Sequence, residues 1–138
     1  MVLLYRYPLF AVIGLRGRMS YKNLMVWKRA ARLGVGLYRG LTHLKDCGFR
    51  DQLTRSGLSI ASNIVEGYGR GGYKEIQQFL RYAKGSAAEV ETQVYIGAEI
   101  GYIAKADAQA WLIEAQEIQS MLAALIKHVA TQTSRKND

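Results

Sequence analysis

Apolar residues recur at helical spacing through most of this 138-residue chain. At about 100° per residue they gather on one side of each of four segments. The pattern predicts helices over residues 24–45, 50–66 and 73–101, and a fourth from residue 107 onward. No segment alternates between apolar and polar residues as a half-buried strand would. Four amphipathic helices joined by short connections predict an all-α fold, an antiparallel up-and-down four-helix bundle.

The fourth predicted helix has the most regular apolar seam. Its members step by alternating intervals of four and three residues, as a and d positions do: Trp111, Ala115, Ile118, Leu122, Leu125 and Val129. Asp107 suits the N-terminal cap or the first turn of this helix. We expect the bundle to occupy residues 19–131 and a polar tail to follow over residues 132–138.

The first 18 residues differ from the rest of the chain. Their apolar run, residues 9–15, is far shorter than the roughly 20 residues that cross a bilayer. Arg16 and Arg18 stand where a secretory cleavage site would need small residues. We therefore interpret residues 1–18 as a non-native or disordered extension, with Met19 as the true start, and expect no membrane association. The single cysteine, Cys47, fits a reducing cytoplasm.

Positive charge is concentrated in the first half of the chain. Residues 1–70 hold 12 Lys or Arg against 3 Asp or Glu, whereas residues 71–138 hold 7 against 8. A one-sided basic surface is typical of proteins that bind polyanions, although lysine and arginine also serve simply to solvate exposed helix faces. On the first predicted helix, Lys28, Arg32 and Arg39 fall within about 40° of one another, opposite the apolar side. Arg29 and Arg70 could extend this surface.

Small polar residues form a second face on the second predicted helix. This face consists of Ser56, Ser59, Ser62, Asn63 and Glu66. Such a face favours close packing against another helix or subunit, and a ligand site is the alternative.

The glycines that follow this helix match G-x-G-x-x-G at Gly67, Gly69 and Gly72. A dinucleotide-binding loop needs a preceding strand and a βαβ unit, and neither is predicted. We expect a connection between helices, with Gly48 and Gly67 as C-terminal caps of the first and second helices. The histidines and carboxylates have neither metal-ligand nor catalytic spacing. We expect no enzymatic activity, no metal and no cofactor.

The segments "YKNLMVWKRAARL" and "LTRSGLSIASNIVEGYGRGGYKEIQQFLRYAKGSAAEVETQVYIGAEIGYI" closely resemble the 23S ribosomal RNA intervening-sequence protein family. The most specific matches are N-I-x-E-G-Y-G-R at residues 63–70, K-E-x-x-x-F-L at 74–80 and G-S-x-x-E-x-E-T-Q at 85–93. The resemblance implies an antiparallel bundle, often a homopentamer, with no catalytic residues to transfer. A related branch looks like the basic accessory proteins of diversity-generating retroelements, which bind nucleic acid.

These patterns lead to two functional hypotheses. In the first, a cytoplasmic homo-oligomer binds the phosphates of RNA or DNA through Lys28, Arg29, Arg32, Arg39 and Arg70. In the second, the chain is a protein–protein interaction adaptor whose basic surface docks an acidic partner protein. Ser59, Ser62, Asn63 and Glu66 serve helix packing or subunit contacts in either case.

Overall fold

The computed structural model describes residue 21 and residues 24–137. That part of the chain contains four α-helices and no strand: α1 (Met25–Leu41), α2 (Cys47–Arg70), α3 (Tyr73–Glu99) and α4 (Lys105–Lys136). The all-α prediction is confirmed. The predicted extension, residues 1–18, and the proposed start at Met19 lie outside the described residues.

The helices form an antiparallel four-helix bundle, as predicted. Each helix packs against the next along the chain, and α1 also packs against α4. The helices therefore lie at the corners of a square, with α3 diagonally across from α1. This arrangement leaves the outer side of α1 away from the core.

The core consists of the apolar stripes that the sequence pattern identified. On α4, Ala115, Ile118, Leu122 and Val129 are buried, while Trp111 and Leu125 lie half-buried at the edges of the seam. The stripe of α3 meets this seam with small and branched side chains, all of them fully buried: Leu80, Ala83, Ala87, Val90 and Val94. Burial of these side chains is the main source of the stability of the bundle.

A two-residue turn, Gly71 and Gly72, joins α2 to α3. Gly71 caps α2 at a left-handed φ of 82°, a conformation in which a residue with a Cβ is strained. The assignment of this capping role to Gly67 was wrong. Gly67 lies buried inside α2, where a methyl group would come within 2.8 Å of the Cβ of Phe79. Since Gly69 is also helical, the glycine motif does not form one loop.

The first connection also differs from the prediction. Gly48 lies in the first turn of α2 rather than at the end of α1, which stops at Leu41. Asp46 caps α2 and accepts hydrogen bonds from the Phe49 amide and the Tyr102 hydroxyl, each at 3.0 Å. These bonds, the one from Phe49 first, lower the pKa of Asp46 below its ordinary value.

Helix α4 continues through Lys136, beyond the residue 132 at which a polar tail was expected. Contacts with α3 hold its last turns. Gln77 Nε2 donates a hydrogen bond to Thr133 Oγ1 at 3.1 Å, and the Lys136 ammonium lies 5.1 Å from the centre of the Tyr73 ring. The start of α3 and the end of α4 are thereby paired.

Candidate nucleic-acid interface

Three cations mark the outer side of α1. Lys28, Arg32 and Arg39 are exposed, because the opposite side of the helix carries buried residues such as Leu33 and Leu37. Within residues 24–137, neither Lys28 nor Arg39 forms an ion pair. We call Lys28, Arg32 and Arg39 the α1 row.

The α1 row has dimensions suited to a polyanion. At 1.5 Å per residue, the Cα atoms of Lys28 and Arg39 lie about 17 Å apart along the helix axis. One DNA strand places a phosphate about every 3.4 Å of axial rise, so the row spans about five phosphates. The helix fixes the three Cα positions, and the long side chains allow the charged groups to adjust to the positions of the phosphates.

Arg29 points away from the row, towards α4. Its guanidinium donates two hydrogen bonds of 2.7 Å to the carboxylate of Glu114 and a third bond to Glu117. The bonds to Glu114 make the largest contribution to a pKa of Arg29 that is raised above its ordinary value. Two carboxylates more than neutralise the charge of Arg29, whose side chain is only 25% exposed. Arg29 thus ties α1 to α4 and does not extend the α1 row.

The seam between α1 and α4 also contains an aromatic contact. The ring of Trp111 lies against Gly40, where an added methyl group would come within 2.7 Å of the ring. Together with the ion pairs of Arg29, this contact fixes the rotation of α1 about its own axis.

Arg70 lies at the end of α2, on the side that faces α3. It pairs with Glu66 one turn earlier, at 2.9 Å, and its guanidinium carbon lies 4.9 Å from the centre of the Phe79 ring. Both members of this ion pair are 53% exposed. Exposed pairs of this kind contribute little stability, so Arg70 can exchange its carboxylate for another anion, but it lies apart from the α1 row.

The polar face of α2 divides into a half-buried part and an exposed part. Ser59 shares a 2.8 Å hydrogen bond with Ser86 of α3, and Asn63 donates to the Ser59 carbonyl at 2.8 Å. Ser62 and Glu66, in contrast, are exposed. Asn63 also donates to Ser59 Oγ at 3.0 Å, so Ser59 makes the contact with α3 and Asn63 holds Ser59 in place, while Ser62 and Glu66 face outward.

Sequence reasoning did not identify the α3 side of this contact. Ser86 is buried, and Glu89 accepts a hydrogen bond of 3.3 Å from Ser56. The signal was a serine and a glutamate three residues apart beside the apolar stripe, which places both on one side of the helix. The same stretch of α3 forms a shallow depression lined by Gly85, Ala88, Glu89, Thr92 and Gln93.

Two buried polar atoms lack a hydrogen-bond partner among the described residues, the Tyr68 hydroxyl and Gln93 Oε1. Burial raises the pKa of Tyr68 to about 12. An unsatisfied hydroxyl in such a place opposes folding rather than supporting it. Tyr68 follows Gly67 on α2 and packs against the core.

Over residues 24–137, no group of three or more His, Cys, Asp or Glu side chains is arranged to hold a metal ion. Cys47 is exposed. None of the described helices has the length and apolar character needed to cross a bilayer.

Comparisons with known proteins identify relatives of this chain. Residues 22–124 match the family model described as 23S rRNA-intervening sequence protein. A crystal structure from Bacteroides thetaiotaomicron, described as a protein with unknown function from the S23 ribosomal protein family, aligns with a TM-score of 0.70. The two chains are 24% identical, and the alignment covers 75% of this chain and 99% of that one, which establishes a shared fold. No curated protein matches the chain.

Proposed function

We propose that this chain, which belongs to the 23S rRNA-intervening sequence protein family, is a non-enzymatic module that binds RNA or DNA. The α1 row supplies the contacts. The observation that carries the proposal is the exposure of Lys28, Arg32 and Arg39 along one side of a helix whose opposite side is packed. Cations in this position bind phosphates and release counterions, which makes the affinity strongly dependent on salt.

Recognition through the α1 row is of the nucleic-acid backbone and its shape. The row offers ammonium and guanidinium groups, which contact phosphates, and no aromatic platform for stacking unpaired bases. Three contacts from one subunit give weak binding. We therefore expect little preference among sequences and a low affinity for a single copy of the row.

The proposal includes assembly into a homo-oligomer, with the pentamer that the family resemblance implies as the expected form. Repeating the α1 row in each subunit multiplies the phosphate contacts without changing any of them. Apolar side chains at the C-terminal end of α3 and just beyond it are exposed and would be covered by assembly: Tyr95, Ile96 and Ile100, each 45–58% exposed. Ser62 and Glu66 of α2 are exposed and available for the same contacts. The cytoplasm, which keeps Cys47 reduced, is the proposed location.

One observation favours the adaptor function as a second candidate. Val35 and Tyr38 of α1 are 49% and 48% exposed. Val35 lies between Arg32 and Arg39 on the side of α1 that carries the α1 row. A protein partner would use such apolar side chains as anchors, whereas a phosphate backbone would not. An acidic protein is therefore the alternative occupant of this surface.

Titration of labelled RNA and DNA duplexes at about 0.05 and 0.2 M salt tests the proposal, since affinity carried by phosphate contacts falls steeply over this range. The triple variant Lys28→Glu/Arg32→Glu/Arg39→Glu should weaken binding by on the order of 100-fold or more at low salt. Its helix content and oligomer mass should match those of the wild type.

Two results would contradict the proposal. If the wild type binds neither duplex at low salt, nucleic-acid binding fails and the adaptor function replaces it. If the triple variant loses its oligomeric state, the α1 row belongs to a subunit contact and the face has been assigned wrongly.

A further inference from the structure

The second half of the chain has nearly equal numbers of acidic and basic residues, but they are distributed unevenly along α3 and α4. Helices α3 and α4 run antiparallel, and two hydrogen bonds define their register. Gln77 contacts Thr133 at 3.1 Å, and Gln119 contacts Glu91 at 2.6 Å. The two contacts lie fourteen residues apart on both helices, so the register is constant between them.

This register places cations of the two helices at matching heights. Lys84 of α3 lies level with the residue before Lys127 of α4, and Lys74 lies level with Lys136. On α3, Lys74, Arg81 and Lys84 fall within about 80° of one another on the outer side. The Lys136 ammonium lies beside the Tyr73 ring at the start of α3. We call the set the α3–α4 surface, and all of its members are exposed: Lys74, Arg81, Lys84, Lys127 and Lys136.

Carboxylates are scarce around the α3–α4 surface. Glu75 is the one acidic residue within residues 73–88, and residues 118–137 contain none. The Glu75 carboxylate turns towards the Gly72 turn, where an added methyl group would lie 3.6 Å from its oxygen. None of these five cations forms an ion pair with a described residue. At the opposite end of the same two helices, residues 89–117 hold six acids and one lysine.

The neighbours of these cations favour a phosphate backbone over a protein as the occupant. The side chains between them are polar, such as Gln77, Gln78 and Thr131. The exposed large apolar residues of the described chain lie elsewhere, apart from Tyr82, which turns towards Phe79 in an edge-to-face contact at 5.4 Å. Protein interfaces use apolar anchors, whereas phosphate contacts need only cations and hydrogen-bond donors.

We propose that the α3–α4 surface is a second binding surface for the phosphate backbone of RNA or DNA, so that the protein bridges two nucleic-acid segments. The inference rests on the nucleic-acid binding proposed above and adds a surface that the α1 row does not include. Because α3 lies diagonally across the bundle from α1, one straight duplex cannot contact both surfaces of the same subunit. Each subunit then holds two segments on different sides.

The experiment uses a short RNA duplex in two preparations, one carrying a donor dye and the other an acceptor. Energy transfer between the dyes reports bridging, and fluorescence anisotropy of the donor duplex reports affinity. The variants are Lys74→Glu/Arg81→Glu/Lys84→Glu and the triple variant of the α1 row. Lys105→Glu, an exposed charge reversal at the acidic end of the same helix pair, is the matched control. Circular dichroism and native mass verify that each variant keeps its fold and assembly.

The wild type and Lys105→Glu should bridge the duplexes. The α3 triple variant should lose energy transfer and bind about tenfold more weakly at low salt. If it keeps its affinity and its energy transfer, the second surface is overturned while the α1 row stands. If only the α3 variant loses affinity and the α1 variant does not, the proposed role of the α1 row fails and bridging fails with it. Loss of energy transfer with a smaller loss of affinity would still support the second surface, because the α1 row alone then holds one duplex.

Discussion

Lys28 and Arg29 are neighbours on the same helix with the same charge, yet the structure gives them opposite surroundings. Lys28 extends from the outer side of α1 and forms no ion pair with the described residues. Arg29 lies in the seam with α4, where Glu114 and Glu117 bind it. One step of about 100° around the helix separates the two environments.

The comparison shows that the number of cations on a helix does not measure its capacity to bind a polyanion. A cation in a helix–helix seam contributes to stability, because its carboxylate partners are in place before any ligand arrives. A cation on the outer side is available to a ligand and contributes little to folding. Substitutions in seams should therefore change stability and leave binding intact, and substitutions on outer faces should do the reverse.

The largest effect on stability should come from a seam glycine. Gly67→Ala places a methyl group 2.8 Å from the Cβ of Phe79 and 3.4 Å from the backbone of Ile76, so α2 and α3 must separate. We expect a loss of about 1–3 kcal/mol in the free energy of unfolding. Chemical denaturation followed by circular dichroism measures it.

Gly69→Ala is the matched control for this substitution. Gly69 lies in the same helix with nothing within 4 Å of an added Cβ, and alanine there should stabilise the protein by about 0.5–1 kcal/mol. Equal changes at the two glycines would mean that α2 and α3 do not pack as closely as described.

Arg29→Gln should have the next largest effect. The change leaves Glu114 and Glu117 without their shared cation and removes the three hydrogen bonds that they accept from it. We expect a loss of about 1–2 kcal/mol, since the site is partly open to solvent. Lys28→Gln, one residue earlier, should leave the free energy of unfolding nearly unchanged. Similar losses in the two variants would remove the distinction between seam and surface.

Tyr68→Phe should have a smaller effect with the opposite sign. Removing a buried hydroxyl that lacks a partner should leave stability unchanged or raise it by up to about 1 kcal/mol. Burial raises the pKa of Tyr68 from 10.0 to about 12, so the unfolded chain ionises first and the folded state loses stability as the pH rises from 10 towards 12. The wild type should therefore lose stability over that range more steeply than Tyr68→Phe. Parallel curves would show that the hydroxyl is exposed or bonded.

Asp46→Ala should have the smallest effect on stability, and its effect on the pH dependence should appear only at acid pH. Hydrogen bonds from the Phe49 amide and the Tyr102 hydroxyl lower its pKa. The ionised Asp46 carboxylate stabilises the folded protein fully above the ordinary carboxyl pKa of 3.8. This stabilisation is lost as the pH falls through the lowered pKa. Thermal unfolding between neutral pH and acid should show this loss in the wild type and less of it in Asp46→Ala. The same acid dependence in both would exclude Asp46 as its source.

The fold was largely predictable because each helix buries a stripe at regular spacing. The step pattern of α4 predicted four residues that are buried in the structure: Ala115, Ile118, Leu122 and Val129. Helix ends were less predictable. Periodicity alone does not distinguish a glycine packed inside a helix, as at Gly67, from one that caps it, as at Gly71.

The surroundings of the cations were predictable only in part, for a physical reason. Helical geometry alone placed Lys28, Arg32 and Arg39 on the outer side. The partners of Arg29 lie 85 and 88 residues away in sequence, so no local pattern could reveal them. The α3–α4 surface likewise depends on the antiparallel register of two helices. The net charge of the second half of the chain does not show that its cations lie together.

The salt dependence of duplex binding tests the central claim most directly when Lys28→Gln and Arg29→Gln are measured beside the wild type. The slope of log K against log salt falls by about 0.7–0.9 for each phosphate contact removed. In Lys28→Gln we predict a slope that is less steep by about that amount for each subunit in contact with the duplex. In Arg29→Gln we predict an unchanged slope. A wild-type slope in Lys28→Gln, or a reduced slope in Arg29→Gln alone, would contradict the account.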